Sequence, residues 1–179
     1  MKKLSVHTIF VLSVALLVGA SFAGAADAGT ASFDEAMHPI LSHYLRIQQA
    51  LAGDSTSGVQ AAARSIAALA EKLDATSVTG EHAEHYKHLP MKFKKATMAL
   101  SKTTKLEKTR EAFKKLSMPL AMWGTMSKPI GIDVVFCSMA KGSWLQKTGP
   151  VMNPYYGKSM LHCGEVVGGA AHAAKAGGH

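Results

Sequence analysis

The chain has 179 residues, 47% of them hydrophobic, and carries a formal charge of +8 from 20 basic and 12 acidic side chains. That length and apolar content suit one domain with its own core. Most of the lysines fall between Lys87 and Lys115, interleaved with apolar positions at helical spacing, so the charge reads as a solvated helix face and not as a nucleic-acid surface.

The N-terminus comes first. Lys2 and Lys3 precede an apolar run from Ile9 to Ala20, and small residues follow, ending Ala23-Gly24-Ala25. This is the order of a secretory signal peptide, residues 1–25, and the run is shorter than the roughly 20 apolar residues that span a bilayer. Removing 25 residues from 179 leaves 154, and the charge falls by two as Lys2 and Lys3 leave. The expected product is periplasmic or secreted, with no transmembrane segment in the mature chain and no nucleic-acid partner.

Four amphipathic helices are predicted next. The first begins at Ser32 with Glu35 as a capping box, carries Phe33, Met37, Ile40, Leu41, Tyr44 and Leu51 on one face, and stops at Gly53. The second runs from about Ser57 to Leu73 and is rich in alanine. The third covers about Glu81 to Leu100, with a kink at Pro90. The fourth opens at Thr104 with Glu107 as a second capping box, and Leu106, Phe113, Leu116 and Leu120 form its apolar stripe. Its opposite side starts charged, at Lys108, Glu111 and Lys115, and then becomes Met118, Met122 and Met126. Something should cover that methionine face, and the C-terminal segment is the candidate; the plainer reading of the three methionines is core filler, the sharper one an auxiliary soft-metal face. Short loops between four such helices predict an all-α fold, an up-down four-helix bundle.

Beyond Ile130 the texture changes. Ile132-Asp133-Val134-Val135-Phe136 reads as a short strand, and Gly142, Gly149, Pro150, Pro154 and Gly157 punctuate a small irregular lobe spanning about 130–167. The domain is therefore expected over 32–167, with a disordered tail at 168–179. The lobe holds the only two cysteines, each with a methionine close by: Cys137-Ser138-Met139 and Met160-Leu161-His162-Cys163. Thiolate and thioether are soft donors that favour Cu(I) or Ag(I) over hard cations. Residues two apart share a face of a strand and residues three apart share a helical turn, so Cys137, Met139, Met160 and Cys163 can surround one small volume. His162, Met118, Met122 and Met126 are auxiliary candidates. The same two cysteines, in an exported protein, equally suit a Cys137–Cys163 disulfide that would stabilise the lobe by roughly 3 kcal/mol.

The segments Cys137-x-Met139, Gly142-Ser143-Trp144-Leu145, Asn153-Pro154-Tyr155-Tyr156-Gly157 and Met160-Leu161-x-Cys163-Gly164-Glu165 resemble a bacterial family, a domain of unknown function. That domain occurs alone or fused to periplasmic adaptor subunits of CusB-type copper and silver efflux systems. Arg110-Glu111-Ala112-Phe113, followed by Leu116-Ser117, is similar to the family's last helix. The resemblance runs from about Phe33 to Val167 and implies a helical bundle with a Cys/Met lobe, a role in heavy-metal handling, and an efflux adaptor or other copper-handling protein as partner. Where the family has proline between the first cysteine and methionine, this chain has Ser138.

Other motifs weigh less. His82, His85 and His88 are three apart and could offer two imidazoles to a divalent ion, while His38 and His43 are off a shared face. There is no Cys-x-x-Cys-His for haem and no Gly-x-Ser-x-Gly elbow. Glu35-Ala-Met-His38 has di-iron spacing but lacks the second copy that a bundle site needs. The reading is of a binding protein and not an enzyme: a Cu(I) or Ag(I) chaperone, buffer or efflux accessory, or else a disulfide-stabilised interaction module without metal.

Overall fold

A computed structural model describes residues 28–169. The expected signal peptide, residues 1–25, and residues 170–179 of the expected tail lie outside the described residues. The helices are α1 (Ala28–Ala52), α2 (Val59–Ala70), α3 (Ala83–Lys87), α4 (Leu89–Leu100) and α5 (Leu106–Ser127). Three strands follow, β1 (Ile132–Cys137), β2 (Gly142–Lys147) and β3 (Glu165–Gly169), with a 3-10 turn at Gly157–Met160 between the last two. Among the described residues, no helix is long and apolar enough to cross a membrane.

The expected all-α fold is corrected here: the domain is mixed, with an antiparallel sheet in the order β2-β1-β3. The strand anticipated at residues 132–136 does form, but it lies at the centre of the sheet with a partner on each side. Both partners fall in the stretch expected to be irregular, where Gly142, Gly149, Pro150, Pro154 and Gly157 punctuate the sequence. Strand pairing is a tertiary choice, and it overrides weak local preference in Glu165-Val166-Val167-Gly168-Gly169. Gly168 and Gly169, assigned to the tail from sequence, are the end of that strand.

The sheet also changes the helical part. α1 packs on α2, α2 on α4, and α4 on α5; β2 lies against both α1 and α5, which meet through long side chains such as Tyr44 with Ser117 and Phe113. Leu145 of β2 fills this seam. Its backbone N–H donates to the Tyr44 hydroxyl of α1 at 3.1 Å, and a Cβ on Gly124 of α5 would come within 2.5 Å of its side chain. Gly124 thus lets helix and sheet approach closely. Tyr44 is fully buried and also shares a 2.8 Å hydrogen bond with Ser117, which ties α1, α5 and the sheet at one point.

Helix boundaries differ from expectation for local reasons. Neither capping box opens its helix. α1 is already formed at Ala28, so Ser32 and Glu35 lie inside it. Asp34 beside them is held by the Trp123 indole N–H at 2.6 Å, a contact from α5. α5 starts at Leu106 with Lys105 in the cap position and no side-chain cap bond. The single predicted third helix is split at His88 into α3 and α4. Pro90 then falls in the first turn of α4, where its missing N–H costs nothing.

Candidate functional site

Alternation along β1 sorts its side chains onto two faces. Ile132 and Val134, with the cross-strand partner Leu145, join the main core under α5. Val135 and Cys137, with Trp144, form a second small cluster on the other face. The segment from Val151 to Cys163 covers that second face, contributing Val151, Tyr155, Tyr156 and Cys163. The sheet is therefore a middle layer, with helix on one side and the Asn153–Cys163 segment on the other.

This arrangement brings the two cysteines together. The Cys137 and Cys163 sulfurs are 3.3 Å apart, and both residues are free thiols. Cys137 is buried at the end of β1, and Cys163 is half-buried just after the 3-10 turn. Closing to a disulfide requires about 2.05 Å, whereas two thiolates sharing one metal through bonds of about 2.3 Å stand roughly 4 Å apart. The pair sits between these two separations, and a small swing of the less buried Cys163 reaches either.

The surroundings polarise the pair. Burial pushes the Cys137 thiol up, but it is outweighed by the backbone N–H of Ala140 (3.5 Å away), the Cys163 thiol, the backbone N–H of Met139 and the Asn153 amide, so its pKa is lowered. Donation to Cys137, together with burial and the charge facing it, raises the Cys163 pKa. The favoured singly ionised form is a Cys137 thiolate accepting a hydrogen bond from the Cys163 thiol. The turn that supplies these N–H groups is tethered from α5 by the Lys114 ammonium, which donates to the Ala140 carbonyl.

Asn153 organises the covering segment, a role that sequence reasoning missed. It is fully buried, and its side-chain N–H donates to the Cys163 carbonyl at 2.7 Å. Its side-chain oxygen accepts from the backbone N–H groups of Tyr155 and Tyr156 at 2.8 and 3.2 Å. The Asn153 N–H donates to Leu161 at 2.7 Å, which closes the loop onto itself. The quoted motif Asn153-Pro154-Tyr155-Tyr156-Gly157 contained this residue, but Asn-Pro signals only a turn, not burial. Arg110 anchors the same loop from α5. It donates to the Pro154 carbonyl at 3.0 Å, to the Leu51 carbonyl at 2.9 Å and to Asp54 at 2.6 Å. Gly164 completes the fit, because a Cβ there would lie 2.7 Å from the Trp144 ring at a φ of +147°.

The remaining candidates are placed differently. Met139 is 62% exposed at the tip of the β1–β2 turn, two residues from Cys137. Met160 is half-buried, and its carbonyl accepts from the Cys163 N–H at 3.0 Å. The exposed His162 spends Nδ1 on the Val151 carbonyl at 2.8 Å. Met122 and Met126 pack against the main core and Met118 stands 67% exposed. Met118 and Met122 border a depression with Val134 and Phe136, on the sheet face opposite Cys137. The lobe folds against α5, but the methionine face lies across the sheet from the thiols. Among the described residues, no three His, Cys, Asp or Glu side chains gather as a metal site, His82, His85 and His88 included.

No curated protein and no solved structure matches the chain. Residues 40–128, from within α1 to just past the end of α5, match the model of the family described as a protein of unknown function (DUF3347); the matched stretch covers most of the helical part on which the cysteine-bearing sheet is built.

Proposed function

We propose that the protein is exported and carries a soft monovalent ion, Cu(I) or Ag(I), as a chaperone, a buffer or an accessory to an efflux system. One observation carries this reading: two thiols meet at 3.3 Å with hydrogen-bond donors that favour the Cys137 thiolate. Thiolates select soft ions, and a preformed thiolate lowers the cost of displacing a proton when the ion enters. Cys137 and Cys163 are the anchors. Met139, in solvent at the turn tip, and Met160, one turn before Cys163, are neutral thioethers suited to passing the ion on. His162 retains one ring nitrogen for the same purpose.

Export is supported by the sequence of residues 1–25, and a periplasmic efflux adaptor or other copper-handling partner by the resemblance of the Cys/Met segment. The experiment is thiol counting and metal analysis on protein recovered from the periplasm. Two thiols per chain and copper or silver bound after loading support the reading. Absence of metal after full reduction and loading overturns it.

The same separation favours a second reading. Closure of Cys137 on Cys163 would span 26 positions and stabilise the loop by about 3 kcal/mol. The protein would then be a disulfide-stabilised interaction module without metal, and thiol counting would return none.

A further inference from the structure

α4 and α5 leave an apolar groove of about 390 Å³ between them. Its floor is Ala96 and Ala99 from α4 and Pro119 from α5, and Met118 and Met122 form the wall. Positions three and four apart on each helix line it, so each contributes a continuous stripe. The groove continues past Met118 and Met122 into a second depression of about 360 Å³ against the sheet, bounded by Phe136 and Lys141.

The rim has one sign. Lys92, Lys95 and Lys115 border the groove, Lys114 and Lys141 border its continuation, and no carboxylate lines either. Neighbouring Lys94 pairs with Glu71 at 3.1 Å, whereas Lys92, Lys95 and Lys115 form no salt bridge with any described residue. An open apolar trough between two helices, with small residues in its floor, is shaped for a third helix. The stripe from Lys92 to Ala99 is about 10 Å long at 1.5 Å per residue, close to two helical turns. That length accommodates anchors at i, i+3 or i+4, and i+7. Methionine walls adapt to the anchors they meet, and unpaired lysines select acidic flanks.

We propose that the α4–α5 groove docks an amphipathic helix of a partner protein whose apolar anchors are flanked by aspartate or glutamate. The inference does not rest on metal binding, since the groove lies across the sheet from the thiols.

The test uses the mature chain and a fluorescent synthetic helix of about 18 residues, three turns longer than the groove, with leucines at i, i+4 and i+7 and glutamate flanks. A second peptide has lysine flanks. The glutamate peptide should bind at least about tenfold more tightly, and Lys92→Glu/Lys95→Glu/Lys115→Glu should invert that preference. Met118→Glu, at an exposed position that leaves the core intact, should weaken binding of the glutamate peptide by a similar factor. Circular dichroism verifies the fold of each variant, and the Cys137→Ser/Cys163→Ser chain should bind the peptide like the parent. Equal binding of both peptides, or none, overturns the proposal. So does binding of oleate or phosphatidylglycerol vesicles without peptide, or a chain dimer in sedimentation that Met118→Glu abolishes.

Discussion

The Asn153 side-chain amide donates to the Cys163 carbonyl at 2.7 Å. This bond connects a fully buried polar residue to the stretch between the 3-10 turn and β3 that carries the second sulfur, and it holds the two ends of the covering segment together. Asn153→Ala would leave that carbonyl and the Tyr155 and Tyr156 N–H groups without their partner. Unpaired buried groups cost about 1–3 kcal/mol each where water cannot replace the lost bond, so the variant should lose roughly 3 kcal/mol. Urea unfolding measures this. A loss under about 1 kcal/mol would mean that water or another side chain takes over the role.

The two thiols should titrate apart. The fold favours ionised Cys137 and protonated Cys163. Thiolate absorbance at 240 nm should therefore show one step below the ordinary thiol pKa of about 8.5 and one above it. Cys163→Ala removes a donor and should move the Cys137 step upward. Cys137→Ala should bring Cys163 back down. The linked stabilities have opposite signs. The Cys137 contribution is present above the ordinary thiol value and is lost as pH falls through its lowered pKa. The Cys163 contribution is present below the ordinary value and is lost as pH rises through its raised pKa. A single two-proton step at an ordinary value would contradict the asymmetry.

Tyr44 should matter more than its neighbours in α1. Its hydroxyl partners both the Leu145 N–H and the Ser117 hydroxyl in the buried seam between helices and sheet. Tyr44→Phe keeps the ring, stacked 5.1 Å from Phe113, and deletes only those bonds. The expected cost is about 1–3 kcal/mol, read as a lowered unfolding midpoint. No change would show that the seam admits water.

The helices were legible because their apolar faces repeat locally: Phe33, Met37, Ile40, Tyr44 and Leu51 all reach the core. The capping boxes misled because a box is only a local preference: α1 is already helical at Ala28, before Ser32, and Lys105 holds the cap position of α5. The sheet was half legible. β1 announces itself through β-branched residues, but β2 mixes Trp144 and Leu145 with polar residues, β3 ends in two glycines, and both gain their strand character by pairing. That Cys137 faces away from Val134 and Phe136 could have been read from the alternation of β1. Placing the methionine face across the sheet from the thiols required knowing which side α5 covers. Asn153 was unreadable because a turn asparagine and a buried one look alike in sequence.

The central claim is that Cys137 and Cys163 together hold one soft ion. Cu(I) titration of the reduced mature chain against a chromophoric chelator tests it most directly, with Cys137→Ser/Cys163→Ser, Met139→Leu and Met160→Leu in parallel. The account predicts one Cu(I) per chain, loss of tight binding in the cysteine variant while its helical circular dichroism persists, and a smaller weakening in each methionine variant. Undiminished Cu(I) affinity in the Cys137→Ser/Cys163→Ser chain would contradict it.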